Sequence, residues 1–564
     1  MLRRMPLRAI SPEARKVGVA AFISSTAFAA GLGITSPADT GRAGRSAPPT
    51  AAAGDSVKIQ LLGVNDLHGR LESPKAMSRT PGGAPVPVGG AAALDAHFDR
   101  AERSHPGRTI RVHAGDMAGA SPLLSSRFHD EPTVRAMNLM DFDVGTLGNH
   151  EFDEGGDELV RLLRGGQRSD GRQFKRDAAG EQVNTSAPDY EGVGFPYLAA
   201  NTVDREGRLR LPPTRVIERA GVRVGFIGVT TTATPHHVLD QYTKRFDWLD
   251  ISETVNRQAG ALRRQGVEAI VVLAHSGAYH ANGKSGPAAG EILDEAREMT
   301  GAVDVVIAGH THSHLNTRVA NAEGAGDKLV VEASSYGAAF DRVQMTLDRR
   351  SGEVTAKSAQ TPTTWNDEVA PDPEVAALVA RYRALLGGMG ERVVGTLARP
   401  LERQALGAPD SLGGVAAQAQ RRAARADVAF VEEGNARASL RAGPVTYSKL
   451  FESSAYEHQV MRMEMTGAGV RHVLEQQLEA EPDELLHVAG LTWERSGDGV
   501  GAVTLADGRA LDDDATYTVA ANALLVDQDE FTGFRQDGRG MRAVGTDLEA
   551  LEGWMRVSET RASG

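Results

Sequence analysis

The chain contains no cysteine. Disulfide bonds and thiolate metal sites are therefore excluded, and the protein must fold without covalent cross-links. Its 564 residues are enough for two domains with separate cores. Hydrophobic residues make up 41% and charged residues 24% of the sequence, which is typical of an ordinary globular protein.

The chain also lacks an excess of positive charge, since its formal net charge is −12. This balance argues against a nucleic-acid polymer or an anionic membrane surface as partner. A small anionic substrate remains compatible with it, because bound metal ions can reverse the field locally.

The N-terminus has no apolar run long enough for a good membrane span. A basic start precedes the short apolar segment 17–25, and Ala27-Phe28-Ala29 has the small-x-small pattern of a cleavage site. We therefore predict a cleaved signal peptide over residues 1–29 and a secreted or cell-envelope protein, with an uncleaved anchor as the alternative. Whether export uses the general or the twin-arginine route stays open.

Polar residues follow directly on several predicted apolar strands. The predicted strands are 57–64, 109–113, 144–147, 222–229, 269–273 and 303–307. The polar residues after them are Asp66, Asp116, Asn149, His275 and His310. Because sites in α/β sheets form beyond the carboxyl ends of the strands, this shared placement predicts one site rather than scattered surface residues.

Composition divides the chain into successive segments. We predict a disordered linker over 30–55, a first domain over 56–360, a linker with a helix over 361–390 and a second domain over 391–560. The polar, glycine-rich segment 165–194 is interpreted as a surface insertion in the first domain. In the second domain the pattern predicts helices at 413–425 and 467–479, a strand at 428–431 and hairpin-like strands near 491–520.

Seven oxygen or nitrogen ligands can be collected from the short polar motifs, which is enough for two metal ions that share one carboxylate. They are Asp66, His68, Asp116, Asn149, His275, His310 and His312. A ligand set without sulfur favours Zn, Mn, Fe or Co, and the sequence does not choose among these metals.

The order of these motifs resembles that of the calcineurin-like metallophosphoesterases. The run 149–153 and three stretches of the second domain narrow the resemblance to the secreted bacterial 5′-nucleotidases. Those stretches are Gly443–Glu452, Met465-Thr466-Gly467 and Tyr517–Asn522. The resemblance covers roughly residues 56–540. It implies an α/β (α+β) protein, with a four-layer α/β/β/α sandwich followed by an α/β domain of the 5′-nucleotidase C-terminal type.

The same resemblance implies roles for individual residues. One divalent ion would be held by Asp66, His68, Asp116 and His312, and the other by Asp116, Asn149, His275 and His310. His150 would face the phosphate, stabilising the transition state or protonating the leaving oxygen, and Asp153 would orient it. For Asp153 alone, a helix N-cap is the alternative. Five other histidines (97, 105, 236, 237 and 280) are interpreted as structural, and His113 and His314 as candidates for support of the ligands.

The second domain departs from the typical pattern of the family, in which arginines hold the phosphate and two phenylalanines enclose the base. The implied substrate-binding positions are Arg437, Tyr456, Leu524 and Glu530. Tyr456 can still stack on a base, whereas Leu524 cannot. Glu432 stands where asparagine is typical, and an anion there would repel a phosphate. Ala408 stands where an arginine is expected, and Gln528-Asp529 replaces a Gly-Gly pair.

We therefore predict a dimetal phosphomonoesterase that acts on a nucleotide or another small phosphate ester. One alternative is a sulfur-ester hydrolase on the same scaffold. The other is a non-catalytic, secreted, metal-containing binding protein. The presence of both His150 and Asp153, which bind no metal in the family pattern, argues against the second alternative. The expected partner is a small phosphorylated metabolite, with no nucleic-acid polymer and no stable membrane span.

Overall fold

A computed structural model describes most of the chain. The described residues are 55–171, 174–176, 182–281, 283, 286–322, 324, 326–403, 408–454, 457–480, 486–497 and 499–562. The predicted signal peptide and all but the last residue of the linker 30–55 lie outside this part. The domain boundaries given above stay predictions.

The first sheet has six strands, one of which is the long apolar strand Ser56–Val64. Four of its strands run parallel to one another. The two strands at one edge each run antiparallel to their inner neighbour. In spatial order the strands are Val354–Gln360, Asp341–Asp348, Ser56–Val64, Thr109–His113, Val144–Thr146 and Tyr197–Leu198.

The second sheet also has six strands, with four parallel strands in the middle and an antiparallel strand at each edge. In spatial order they are Thr214–Arg219, Val222–Thr230, Ala269–His275, Val305–Ile307, Asp327–Ala333 and His314–Ala320. The central strands are buried along their whole length, as expected for parallel strands covered on both faces.

The two sheets pack face to face through one apolar cluster to which both contribute, with Ile59 and Val112 from the first sheet and Phe226 and Val271 from the second. Helices cover the outer face of each sheet. The main helices are Ala91–Glu102, Glu131–Leu139, Gly156–Arg164, Ile251–Arg264 and Glu291–Glu298. Short helices are Leu123–Ser126, Thr234–His237 and Asp240–Thr243. The four-layer α/β/β/α architecture expected from the resemblance is confirmed.

The rest of the chain is built around a five-stranded sheet. Its strands in spatial order are His487–Ala489, Val428–Val431, Thr516–Asn522, Gln459–Thr466 and Arg539–Thr546. Its helices are Leu412–Ala424, Tyr447–Ser453, Gly467–Ala480, Ala523–Asp527, Gly533–Asp537 and Asp547–Ala562. Two strand pairs complete it, Val393–Leu397 with Gly443–Thr446 and Leu491–Ser496 with Gly499–Leu505. This region is the predicted second α/β unit.

The helix Pro373–Leu386 joins the two parts of the fold. Asp372 caps its first turn by accepting hydrogen bonds from the backbone N–H groups of Glu374 and Val375, each at 2.9 Å. Val375 and Tyr382 pack into the helical layer outside the first sheet. The connection is therefore docked on the first part rather than extended in solvent.

Most predicted elements agree with the structure to within two residues at each end, and the strands Thr109–His113 and Val428–Val431 agree at both ends. Two details are wrong. His275 is the last residue of its strand rather than the residue after it, because the pairing with Val222–Thr230 continues to Thr230. The last strand near 491–520, Thr516–Asn522, belongs to the five-stranded sheet and not to a hairpin with its predecessors.

The segment 165–194 is more than a surface insertion. Arg168 is 2% exposed, and its guanidinium group pairs with Glu154, Glu158 and Asp170. Tyr190 is also buried, and its hydroxyl group donates to the carbonyl oxygen of Leu162 at 2.5 Å. Polarity in this segment therefore marks buried ion pairs as well as solvent exposure.

Within the described residues, we find no helix that combines the length and the apolar character needed to cross a bilayer.

Removal of the Arg168 side chain should destabilise the fold. Arg168→Ala removes the cation that pairs with the carboxylates of Glu154 and Asp170, and breaking such a buried pair costs about 3 kcal/mol. We take the lower end of the usual range because both carboxylates keep access to water. The measurement is the free energy of unfolding in urea. The control is Arg208→Ala, at a surface arginine paired with Asp157 and Glu206, which should change it far less because exposed ion pairs contribute little to stability. Equal effects of the two substitutions would contradict the anchoring role of Arg168.

Candidate metal centre

All seven predicted ligands come together at one place in the structure. They are supplied by the loops that follow parallel strands of both sheets, and by the end of the strand Ala269–His275. Six of them, together with His150, form three overlapping groups in which all ligand atoms lie within 4.8 Å of one another. These groups are Asp66 with His68 and His312, His68 with Asp116 and His150, and Asp116 with His275 and His310.

The first group is compact, with Asp66 and His68 buried and His312 half-buried. His312 Nε2 lies 3.3 Å from Asp66 Oδ1 and 3.1 Å from His68 Nε2. Two imidazoles and a carboxylate oxygen that converge in this way are suited to one divalent cation. Asp66 Oδ1 is buried and accepts no hydrogen bond, although Asp66 Oδ2 accepts one from the backbone N–H of His310 at 2.9 Å. A buried carboxylate oxygen that has no hydrogen-bond donor is suited to bind a cation.

The second group is centred on Asp116 and Asn149. His275 Nε2 lies 3.0 Å from Asp116 Oδ2 and 3.0 Å from Asn149 Oδ1, and His310 Nδ1 lies 3.0 Å from the same Asn149 oxygen. Asp116 Oδ2 is also 3.6 Å from His68 Nε2 of the first group. Asp116 is therefore the side chain that touches both groups, as a shared ligand must.

Five of the seven ligand residues adopt left-handed backbone conformations, with φ between 48° and 80°: Asp66, His68, Asp116, His310 and His312. Each such conformation costs a non-glycine residue on the order of 1–3 kcal/mol, and it persists only where the surroundings enforce it. Strain collected on one set of residues indicates that their side chains are held for a function.

Glu151 enforces part of this backbone geometry. Its buried carboxylate accepts hydrogen bonds from the N–H groups of Asp116, Met117, Ala118 and Gly148, at 2.6–3.3 Å. Gly148 itself lies so close to Asp116 that an added Cβ would come 2.1 Å from Asp116 Oδ1. The loops after two neighbouring strands are thereby fixed to each other.

Electrostatics favour the ligand forms that a metal needs. Burial lowers the pKa of His68 well below its ordinary value and that of His310 to about 3, so both imidazoles are neutral. Burial opposes ionisation of Asp66, yet the His312 imidazole lowers its pKa to about 2. His275 differs, because the Asp116 carboxylate outweighs burial and raises the pKa of His275 to about 10. A cation would compete with that proton.

His150 and Asp153 form a pair beside the ligands. His150 Nδ1 lies 2.8 Å from Asp153 Oδ2, which also accepts a hydrogen bond from the backbone N–H of Ala120 at 3.0 Å. Burial opposes charging of His150, but the Asp153 and Asp116 carboxylates outweigh it and raise the pKa of His150. The helix-cap alternative for Asp153 is wrong, since the next helix begins at Gly156 with Gly155 at its N-cap.

Several residues at the site were not singled out from the sequence. Tyr336 packs against the rings of His312 and His68, with centroid distances of 5.3 and 5.9 Å, and Arg70 lies over the Tyr336 ring at 4.8 Å. Arg70 also pairs with Glu452 of the second part of the fold at 3.5 Å. The spacing Asp66-x-His68-x-Arg70 could have flagged Arg70, whereas no local signal marks Tyr336.

Two of the histidines interpreted as non-ligands have defined places near the centre. The ring of His237, which is interpreted as structural from the sequence, lies 5.1 Å from that of His310. His113 is buried among Phe142, Phe195 and Tyr197 and accepts a long hydrogen bond from the Gly115 N–H at 3.3 Å. It supports the loop that carries Asp116.

The second part of the fold faces the same loops. Arg437 donates a hydrogen bond to the carbonyl oxygen of Ala120 at 3.2 Å, and its charge acts on His150. Glu530 lies 3.5 Å from His236. Leu524 is half-buried in the first turn of the helix Ala523–Asp527. Tyr456 lies outside the described residues.

Glu432 differs from its sequence interpretation. Its side chain accepts a hydrogen bond from Asn522 Nδ2 at 2.9 Å, and burial raises its pKa to about 7. Near neutral pH the carboxyl group is therefore only partly charged. Repulsion of a phosphate by Glu432 is weaker than the sequence alone predicts.

Comparison with known proteins agrees with this geometry. Residues 59–314 match the calcineurin-like phosphoesterase model, and residues 393–536 match the 5′-nucleotidase C-terminal domain. The cell wall protein Lmo0130 of Listeria monocytogenes is 32% identical, over 91% of this chain and 68% of its own length. The chain belongs to the calcineurin-like phosphoesterases. The members of this family are hydrolytic enzymes that use divalent metals.

Other relatives differ in extent. Endonuclease YhcR of Bacillus subtilis is also 32% identical over 84% of this phosphoesterase, which spans only 37% of the length of YhcR. The crystal structure of a 5′-nucleotidase precursor from Thermus thermophilus has a TM-score of 0.71 and 24% identity, covering 89% of this chain and 97% of its own. That likeness extends the shared fold to both parts of the protein.

Loss of the Asp116 carboxylate should empty the centre. Asp116→Ala removes the side chain that touches both ligand groups, so we expect fewer than two divalent ions per chain and no hydrolysis of a chromogenic phosphate ester. Metal content is measured by elemental analysis after gel filtration. Asp294→Ala, at an exposed surface position, is the matched control. Two retained ions with normal turnover would contradict a shared role for Asp116.

Proposed function

We propose that the protein is an exported phosphomonoesterase that uses two divalent ions and acts on a small phosphate ester. The observation that carries this proposal is the convergence of seven sulfur-free candidate ligands, among them Asp116 in contact with both groups, with the His150–Asp153 pair beside them. Export is supported by the signal-like segment 1–29 and by similarity to a cell wall protein.

The donor set assigns residues to each ion. Asp66, His68, Asp116 and His312 would hold one, and Asp116, Asn149, His275 and His310 the other. When bound, the ions would supply positive charge to the phosphoryl oxygens and lower the pKa of water at the centre. The buried and partly strained ligand loops hold the side chains in place before any ion arrives.

His150 acts on the reacting phosphate ester itself. Asp153 engages Nδ1, so the imidazole is oriented and its Nε2 carries the proton to the reaction. The Ala120 N–H fixes the Asp153 carboxylate in turn. Arg437 donates a hydrogen bond to the carbonyl oxygen of Ala120. This contact brings its guanidinium group to the edge of the centre, where a phosphate oxygen can accept a hydrogen bond from it.

Substrate selection is expected to differ from that of a typical 5′-nucleotidase. Leu524 offers no aromatic face to a base, and Glu432 replaces a neutral amide. A phosphate ester of a sugar or of another small metabolite is therefore as suitable a substrate as AMP.

Substitution of His150 separates catalysis from metal binding. His150→Ala should keep both ions but lower the turnover number for a chromogenic phosphate ester by about 10²–10⁴-fold, as for loss of a general acid. His105→Ala is the control and should leave turnover unchanged, because the His105 side chain is hydrogen-bonded to the Ser104 hydroxyl group away from the ligands. Loss of metal from the His150 variant would instead make His150 a ligand and contradict its proposed role.

A substrate panel tests the altered selection. The wild type should hydrolyse AMP less efficiently than at least one non-nucleotide phosphate ester, as judged by kcat/KM from released phosphate. Leu524→Phe should lower the KM for AMP, because stacking on a base is worth about 1–3 kcal/mol. The KM for a chromogenic ester without a base should hardly change, and Leu524→Ala should not lower either value.

The outcomes of this panel are distinct. A wild type that prefers AMP to every other ester tested would be a plain 5′-nucleotidase, and the altered-pocket interpretation would fail. Release of sulfate from a sulfur ester, without release of phosphate from any ester, would favour the alternative chemistry on the same scaffold.

A further inference from the structure

A groove lined by arginines lies on the second part of the fold, apart from the residues of the metal centre. It has a volume of about 430 Å³ and is lined by Gln418, Arg421, Arg422, Arg425, Ala426 and Trp554. The helix Leu412–Ala424 and its C-terminal cap supply the first four of these side chains, and the helix Asp547–Ala562 supplies the tryptophan.

The spacing of these side chains places them on one side of the helix. Positions 418, 421, 422 and 425 are related by i, i+3, i+4 and i+7, which form a single face over two turns. That face carries three guanidinium groups and one amide toward Trp554. It therefore offers many hydrogen-bond donors to whatever occupies the groove.

The arginines of this face lack acidic partners. In the part of the chain that the structure describes, no carboxylate forms an ion pair with Arg421, Arg422 or Arg425, although Arg421 Nε donates to the carbonyl oxygen of Asp427 at 2.9 Å. Two surface arginines elsewhere, Arg79 and Arg205, each pair with an aspartate.

Attraction to the helix C-terminus explains cations in the last turn but not their convergence on a groove beside an aromatic ring. Three arginines without an ionic partner among the described residues make this groove locally positive in a protein of net charge −12, which favours an anion as its occupant.

We propose that this groove is a second binding site, which takes a small ligand with linked phosphate groups. Guanidinium groups match phosphate oxygens in geometry and charge. The groove also falls in the range of small-molecule pockets. Trp554 and the arginine planes offer faces for a planar ring, so a nucleoside polyphosphate and an inorganic polyphosphate share the recognised chemistry.

The test is isothermal titration of the full-length, metal-loaded protein with methylenediphosphonate, which phosphatases do not cleave. The variant Arg421→Ala/Arg422→Ala/Arg425→Ala should bind one equivalent fewer than the wild type. The metal centre contributes equally to both proteins, so failure of the proposed catalytic function would not change this difference. Turnover of a chromogenic ester and the unfolding midpoint should stay unchanged in the variant.

A matched control carries the same change of charge. The variant Arg257→Ala/Arg263→Ala/Arg264→Ala, on the helix Ile251–Arg264, should keep the full stoichiometry. The single substitution Arg422→Glu, at an exposed side chain, should also abolish binding of one equivalent of methylenediphosphonate. It serves as the test if the triple variant folds poorly. The adenosine ester of the same probe distinguishes the two ligand sources. If the adenosine ester binds more tightly than methylenediphosphonate, and Trp554→Leu abolishes this gain, the natural ligand is a nucleotide. If the two probes bind equally, the natural ligand is an inorganic chain.

Unchanged stoichiometry in both the triple variant and Arg422→Glu would overturn the proposal. Equal loss in the control variant would also overturn it, because binding would then reflect net charge alone.

Discussion

One buried carboxylate organises the centre of this protein. Glu151 accepts hydrogen bonds from four backbone N–H groups, three in the loop 116–118 and the fourth that of Gly148. Those loops end two neighbouring parallel strands, so the interaction sets how the two loops meet beyond the sheet. Asp116 lies on one loop, and Asn149 and His150 follow on the other. Burial, reinforced by the charge of Asp116, raises the pKa of Glu151 to about 7, a cost that the four donors reduce by stabilising the ionised form.

The metal centre is stable only as part of a rigid frame. Five ligand residues in left-handed conformations store on the order of 1–3 kcal/mol each, and their carboxylates are removed from water. Two sheets packed through one apolar cluster supply that frame, since strands buried on both faces leave little freedom to the loops at their ends. A cation would relieve the remaining cost at its most obvious point, the unsatisfied oxygen Oδ1 of Asp66.

Sequence reasoning could predict the parallel strands and the ligands because both have local signals. A fully apolar run such as 269–273, with a histidine shortly after it, can be recognised from the local sequence without knowledge of the strands that pair with it. Contacts between distant segments have no such signal. Tyr336 reaches His68 across more than 260 residues of chain, and its left-handed backbone is set by a hydrogen bond to Asp66 rather than by its own type. Arg168 is similar, because a polar segment gives no sign that its cation is buried among carboxylates.

The division between the two parts of the fold has a physical basis. Among the described residues, the seven candidate ligands all lie in the first part of the fold, at or beyond the ends of strands in its two sheets. The second part reaches the centre through few polar contacts, among them Arg437 with Ala120 and Glu452 with Arg70. Replacement of a residue such as Leu524 can therefore alter the proposed base-binding surface without disturbing the candidate ligands. The proposed hydrolytic centre and the proposed surface for selection belong to separate apolar cores, so one can change while the other is kept.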